Sequence, residues 1–253
     1  GAFFTSTLRK MPGITVVVLR DGQSEVIAMG MVAGEPHPEA LRWEVGSITK
    51  VFTGLLLADM SLRGEVLLAD PIGRYLPDRV ASRLPASELQ PTLADLATHT
   101  SGLPRIPLPL LRRVRHSADP YAGLTEDQVF ACLGPRTRRP RRPRSRYSNF
   151  GMGLLGHLLA RAAQRPFMVL MEERLLLPLG MTATGFGDEA GRPAPVPGFR
   201  KGKPTPPWSF GALAGAGALR SSPGDLLSFA AVCLDPPPGK LGEALDLASR
   251  PHF

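Results

Sequence analysis

Cysteine is nearly absent from this 253-residue chain: Cys132 and Cys233 are the only two. Neither has a histidine partner at metal-ligand spacing, so a zinc site is not expected. Two small buried apolar residues are the simplest reading, with a disulfide between them left open. Lysine is also scarce, occurring at positions 10, 50, 201, 203 and 240, so arginine carries the net charge of +8. Aromatic residues are few. No apolar run reaches the ~20 residues of a membrane-spanning helix. The opening Gly1-Ala2-Phe3-Phe4 lacks the basic head and long apolar stretch of a signal peptide, and without an initiating Met the chain reads as processed or trimmed. Glycine and proline, by contrast, are abundant at 27 each, which predicts many loops. The length suffices for a sizeable core.

Residues 13–20 are rich in β-branched side chains and read as a strand. Asp21-Gly22 is a tight-turn signal, and residues 24–32 complete a hairpin. Residues 47–63 read as a helix that stops at Gly64. Pro71 opens a short helical turn ending near Leu76. Beyond it, out to about residue 215, no strong strand pattern occurs. Thr92 caps a short helix that breaks at Gly102. Thr125 and Gln128 form a capping-box pair ahead of a helix to Leu133. Apolar helices come next over 152–163 and 167–177, then a glycine- and proline-rich loop over 188–207. The small residues of 211–218 allow close backbone approach. Ser222-Pro223-Gly224-Asp225 caps a last clear helix, 226–234, and after Pro236-Pro237-Pro238 only a short remainder is expected.

The chemistry centres on Ser47 and Lys50. Three residues apart on a helix, they share one face, about one turn from each other. Serine is a poor nucleophile until a neighbour takes its proton. A lysine amine can do so when burial or nearby cations lower its pKa, and the apolar run after Lys50 supplies burial. The plain alternative is a helix-capping serine and a solvated first-turn lysine. A second cluster is Tyr147-Ser148-Asn149. A phenol beside an ammonium loses its proton more readily, and the Asn149 amide both donates and accepts. Here the plain alternative is a packed tyrosine and a capping asparagine.

Residues 136–146 carry seven arginines and two prolines, so they cannot form a regular buried element. They read as a solvated loop, or as a basic rim that attracts anionic substrates. No aromatics are interleaved, so no nucleic-acid partner is expected.

Ser-x-x-Lys opening a helix, with Tyr-x-Asn after a mostly helical stretch, resembles the serine β-lactamase and penicillin-binding protein superfamily. The Tyr-x-Asn form is similar to class C β-lactamases, DD-peptidases and related esterases. Leu96-Ala97-Thr98-His99-Thr100-Ser101-Gly102-Leu103-Pro104, Pro178-Leu179-Gly180-Met181 and residues 217–226 occur in the order of that family. The resemblance implies an α/β fold, an antiparallel sheet flanked by helices with an all-helical insert. Residues 1–68 would hold the hairpin and nucleophile helix, 69–215 the insert, and 216–253 a truncated return to the α/β part.

The resemblance implies roles as well. Ser47 would be the acylated nucleophile, with its backbone N–H as one oxyanion donor. Lys50 would take the proton of Ser47 or tune its acceptor. Tyr147 would be general base and acid, and Asn149 would position Lys50 and the substrate. No metal or organic cofactor is implied. The substrate would be a small-molecule ester, β-lactam or peptide, anionic if the arginine loop beside Tyr147 steers it. The implied location is extracytoplasmic, periplasmic or secreted. One family element is missing: no Lys-Thr-Gly or His-x-Gly comes after Gly224, since Lys240-Leu241-Gly242 and His252-Phe253 do not match. The C-terminal strands, the second oxyanion donor and the terminal helix are therefore expected to be absent, as in a fragment. A catalytically inactive binding module is the alternative function.

Overall fold

The computed structural model describes residues 13–114, 119–187, 192, 194–200 and 203–252. The start of the chain, Gly1-Ala2-Phe3-Phe4, lies outside them. Strand β1, Gly13–Arg20, pairs antiparallel with β2, Gln23–Gly30, with Arg20 opposite Gln23. That register leaves a two-residue turn. Asp21 and Gly22 both take positive φ, 51° and 74°, as the twist of a tight hairpin requires.

A two-residue strand, β3 (Trp43–Glu44), leads into a 3-10 turn, Gly46–Ile48, and then helix α1, Thr49–Leu62. Phe52, Leu55, Leu56 and Met60 of α1 are fully buried, each contributing about 1.5–3 kcal/mol of burial. The helix ends where expected, with Gly64 in the left-handed region at φ 72°.

Helices dominate the middle of the chain. The stretch opened by Pro71 is a 3-10 turn, Ile72–Tyr75. Then come α2 (Asp78–Ala81), α3 (Leu93–Ala97), α4 (Leu108–Val114), α5 (Glu126–Ala131), α6 (Asn149–Ala163) and α7 (Phe167–Met171), the last running into a π-helical turn, Glu172–Leu176. Thr92 with Asp95 and Thr125 with Gln128 both form reciprocal capping boxes. Ser148, rather than Asn149, caps α6, its hydroxyl accepting from the Gly151 N–H at 2.8 Å.

Three short strands interrupt the helical stretch, where none is expected. Strand β4 (Gly185–Phe186) pairs with β7 (Leu219–Ser221), which also pairs with β3. Strands β5 (Gly198–Arg200) and β6 (Lys203–Thr205) make a hairpin inside the expected loop. Strands of two or three residues are too short to show alternation, so the sequence carries no signal for them.

Helix α8, Pro223–Leu234, packs on β1. A final helix, α9 (Lys240–Ser249), stands where only a short remainder is expected, and it lies against α1 with Ala244 fully buried. It places Lys240-Leu241-Gly242 in a first helical turn, not on a strand. Neither cysteine is fully buried, contrary to expectation: Cys132 is half-buried, Cys233 is exposed, and both thiols are free. No helix among the described residues is long and apolar enough to cross a membrane.

Candidate active site

Gly46 turns the chain at φ 51°, with open space around it, and Ser47 comes next at the mouth of α1. One turn later Lys50 is buried against the helix. Its Nζ donates to the Ser47 Oγ at 3.0 Å and to the Ala216 carbonyl at 2.6 Å. Tyr147 arrives from the end of the arginine-rich loop, and its hydroxyl is hydrogen-bonded to the Ser47 Oγ. The Lys50 Nζ sits 4.6 Å from the Tyr147 ring centre. Three of the four expected residues therefore meet in one hydrogen-bonded cluster.

The fourth is placed differently. Asn149 is buried on the wall of the same cleft as Ser47, but its Nδ2 donates to the Tyr121 hydroxyl at 3.2 Å rather than engaging Lys50. Its Oδ1 is buried and has no partner among the described residues. An acceptor left so is costly unless a ligand N–H fills it.

Charge in the cluster is set by its contacts. Burial lowers the Lys50 pKa, and the Arg105 charge lowers it further, while the Tyr147 contacts act in the opposite direction. Burial by itself would raise the Tyr147 phenol. The hydrogen bonds from Lys50 and Ser47, with the charges of Lys50 and Arg105, outweigh it and hold the phenol below its ordinary value. The Lys50 amine has two hydrogen-bond acceptors, the Ser47 Oγ and the Ala216 carbonyl, and its charge lies over the Tyr147 ring. The arrangement suits a Lys50 ammonium beside a readily ionised Tyr147, with the Ser47 proton directed at the phenol oxygen.

Sequence reasoning missed several groups. The Ala216 carbonyl comes from the small-residue stretch, whose turn, Gly211–Ala216, is held by Thr53 Oγ1 donating to Gly215 O at 2.8 Å and by His157 Nε2, 2.6 Å from Ala212 O. Backbone carbonyls leave no sequence signal beyond that smallness. Arg105 lines the cleft with Glu44, Tyr121, Trp208 and Phe210, and its guanidinium carbon is 5.7 Å from the Tyr147 ring centre. The cleft holds about 250 Å³. Tyr121 and Phe210 stack at 4.9 Å, and Trp208 meets Tyr121 edge-on at 5.6 Å, giving one aromatic wall.

No residue of the 136–146 loop lines this cleft. Arg139 pairs instead with the buried Asp95 at 2.9 Å, and its N–H donates to Leu89 O. The arginine that lines the cleft, among the described residues, is Arg105. Among the described residues no group of histidine, cysteine and acidic side chains is arranged to hold a metal ion.

The model of the Beta-lactamase family matches residues 4–252. The chain belongs to that family. It is 30% identical over 179 residues to a β-lactamase of Escherichia coli K12, covering 70% of this chain and 44% of that protein. It is 31% identical over 186 residues to the D-alanyl-D-alanine-carboxypeptidase/endopeptidase AmpH of the same organism, covering 72% of this chain and 46% of that protein. The chain thus spans about half the length of these relatives. The crystal structure of a class C β-lactamase from Rhodobacter sphaeroides superposes with a TM-score of 0.74 at 28% identity, over 97% of this chain and 68% of that one. The fold is that of β-lactamases and carboxypeptidases.

Proposed function

We propose that the chain is a serine acyl hydrolase that works through an acyl-enzyme on esters or on β-lactam and peptide amides. One observation carries this reading: the Ser47 hydroxyl is hydrogen-bonded at once to the Lys50 amine and the Tyr147 phenol. In the proposed cycle the Tyr147 phenolate takes the Ser47 proton as the Ser47 oxygen adds to the acyl carbon. The ammonium of Lys50 stabilises the phenolate beforehand and remains charged. The Tyr147 hydroxyl then returns the proton to the departing alkoxide or amine, which leaves as an alcohol or amine. In the second half a water gives its proton to the Tyr147 oxygen and adds to the acyl carbon. Ser47 departs and recovers that proton.

The Ser47 N–H, in the first turn of the helical run where such groups lack intrahelical partners, serves as an oxyanion donor. Asn149 offers its buried Oδ1 to a substrate N–H. The exposed Arg105 guanidinium favours a substrate carrying a carboxylate, and the Tyr121, Trp208 and Phe210 wall favours an apolar acyl group. Glu44, Gly46, Ser47 and Gly217, which fall in the proposed α/β part, line the cleft. Arg105, Tyr121, Asn149, Trp208 and Phe210, which fall in the proposed insert, line it as well. Likeness to β-lactamases and D-alanyl-D-alanine carboxypeptidases supports an extracytoplasmic place of action.

A pre-steady-state burst on an activated aryl ester tests the hydrolase reading. A burst approaching one equivalent, absent in Ser47→Ala, is expected, and linear background turnover unchanged in that variant refutes it. One observation favours a second reading, a binding module without turnover: the Asn149 amide is turned to Tyr121 and away from Lys50. That reading requires ligand binding that Ser47→Ala leaves intact.

A further inference from the structure

We infer that His99 is the residue that positions Tyr147, holding the chain on both sides of it and packing on its ring. The inference rests on the proposed role of Tyr147 as the proton-transfer group.

Helix α3 ends at Ala97 and is capped by Thr98, whose N–H returns to Ala94 O and Leu96 O. His99 is the next residue and takes φ 63°, the left-handed region. Glycine is the usual occupant of that position after a helix, with asparagine second. A histidine there costs about 1–2 kcal/mol of backbone strain. Such strain persists when the side chain does something glycine cannot.

His99 makes three contacts around Tyr147, one through its carbonyl and two, through Nδ1 and the ring face, that glycine lacks. The His99 carbonyl accepts the Arg146 N–H at 2.8 Å. The His99 Nδ1 accepts the Ser148 N–H at 3.3 Å. The ring centre lies 4.8 Å from that of Tyr147, tilted by 47°. The residues before and after Tyr147 are thus both tied to His99, and the phenol between them rests on the imidazole. Ser148 is held again through its hydroxyl, which donates to Pro104 O at 2.7 Å. The Phe150 N–H donates to Arg105 O at 3.0 Å.

Accepting through Nδ1 requires an imidazole without a proton on that nitrogen. Burial first, and the Lys50 charge second, push the His99 pKa below its ordinary value, which keeps it neutral at pH 7. The charged or titratable groups around the phenol are then Lys50, Arg105, Ser47 and a neutral His99, so the ring adds position without adding charge.

The test is a 13Cζ-tyrosine NMR titration of the whole chain, alongside the rate of Ser47 acylation by an activated ester. Only Tyr75, Tyr121 and Tyr147 contribute signals. Tyr75 is held up at about 12, by burial and then by Asp70, and serves as an internal check that the fold is intact. His99→Gly relieves the strained φ but removes the Nδ1 acceptor and the ring. The expected result is an unchanged or higher melting temperature, an unmoved Tyr75 midpoint, and a Tyr147 midpoint at least half a unit higher. Acylation should fall at least thirtyfold.

His99→Asn tolerates the left-handed φ and offers Oδ1 where Nδ1 stood. It should recover most of the acylation rate and bring the Tyr147 midpoint back towards its original value. An unmoved Tyr147 midpoint in folded His99→Gly overturns the positioning role. A wild-type chain that never acylates overturns the hydrolase reading instead, while the NMR comparison still decides the role of His99.

Discussion

The amine of Lys50 lies 4.6 Å from the centre of the Tyr147 ring while donating to the Ser47 hydroxyl at 3.0 Å. The two residues are 97 positions apart, and each one's proton affinity depends on the other. The rise of kcat/KM with pH should reflect ionisation of Tyr147 beside a charged Lys50 and should lie below the ordinary phenol range. Arg105 helps hold the Tyr147 phenol down, so Arg105→Ala should move that limb to higher pH. A pH–rate profile on a neutral ester reads the shift, and an identical limb in both proteins denies Arg105 this influence.

Substrate charge gives a second consequence. Arg105 is exposed and lines the cleft, so its pairing with a substrate carboxylate is screened by water and contributes about 0.2–1 kcal/mol. Arg105→Ala should raise KM for a carboxylated ester about 1.4- to fivefold more than for its neutral analogue, the range that this energy allows. Replacing Arg141, Arg142 and Arg144 together should change both alike, because none of them lines the cleft. The reverse pattern would return substrate steering to the arginine loop.

Packing beneath Lys50 gives a third. A Cβ at Gly153 of α6 would stand 2.4 Å from Leu213 Cδ2 and 3.0 Å from Leu213 Cα. Leu213 belongs to the turn that presents the Ala216 carbonyl to Lys50. Gly153→Ala should destabilise the fold by about 1–3 kcal/mol through overpacking. It should also lower kcat by displacing that carbonyl. Chemical denaturation and steady-state kinetics on the same preparation check both, and unchanged stability would show that Leu213 yields freely.

A fourth concerns acid stability. Asp70 is buried and accepts from the Leu67 N–H at 2.7 Å, Arg74 at 2.8 Å and the Tyr75 hydroxyl at 2.5 Å. Burial raises its pKa, but the Tyr75, Leu67 and Arg74 contacts outweigh that and leave it depressed. A depressed carboxylate stabilises fully above its unfolded-state pKa of about 3.9, and that contribution is lost as pH falls through the folded value. Asp70→Asn should therefore cost about 1–3 kcal/mol at pH 7, with the gap narrowing below about pH 4. Urea melts at pH 7 and pH 3 measure it, and a constant gap would assign the cost to packing rather than charge.

Much of the fold was legible in local sequence. The hairpin announces itself by β-branched residues around Asp21-Gly22, and one capping box by Thr125 with Gln128; the reciprocal partner of Thr92, Asp95, is seen only in the structure. Ser47 and Lys50 stand out by their spacing of three on a helix, whereas Tyr147 stands out only through the family resemblance. The features that were not legible depend on distant segments meeting. Arg105 and His99 matter because the 98–105 stretch folds against residues 146–150. Asn149 turns to Tyr121, a partner 28 positions away. Strands β3, β4 and β7 are two or three residues long and form only when brought together. Helix α9 begins right after a proline run that reads locally as a terminus.

The most direct test of the central claim is covalent capture of the nucleophile. The chain is incubated with a fluorophosphonate and, separately, with a fluorescent penicillin, and the labelled peptide is mapped by mass spectrometry. One equivalent of label is expected on Ser47, absent in Ser47→Ala and formed about 10²- to 10⁴-fold more slowly in Tyr147→Phe. Label on another residue, or equal rates in the wild type and Tyr147→Phe, would contradict it.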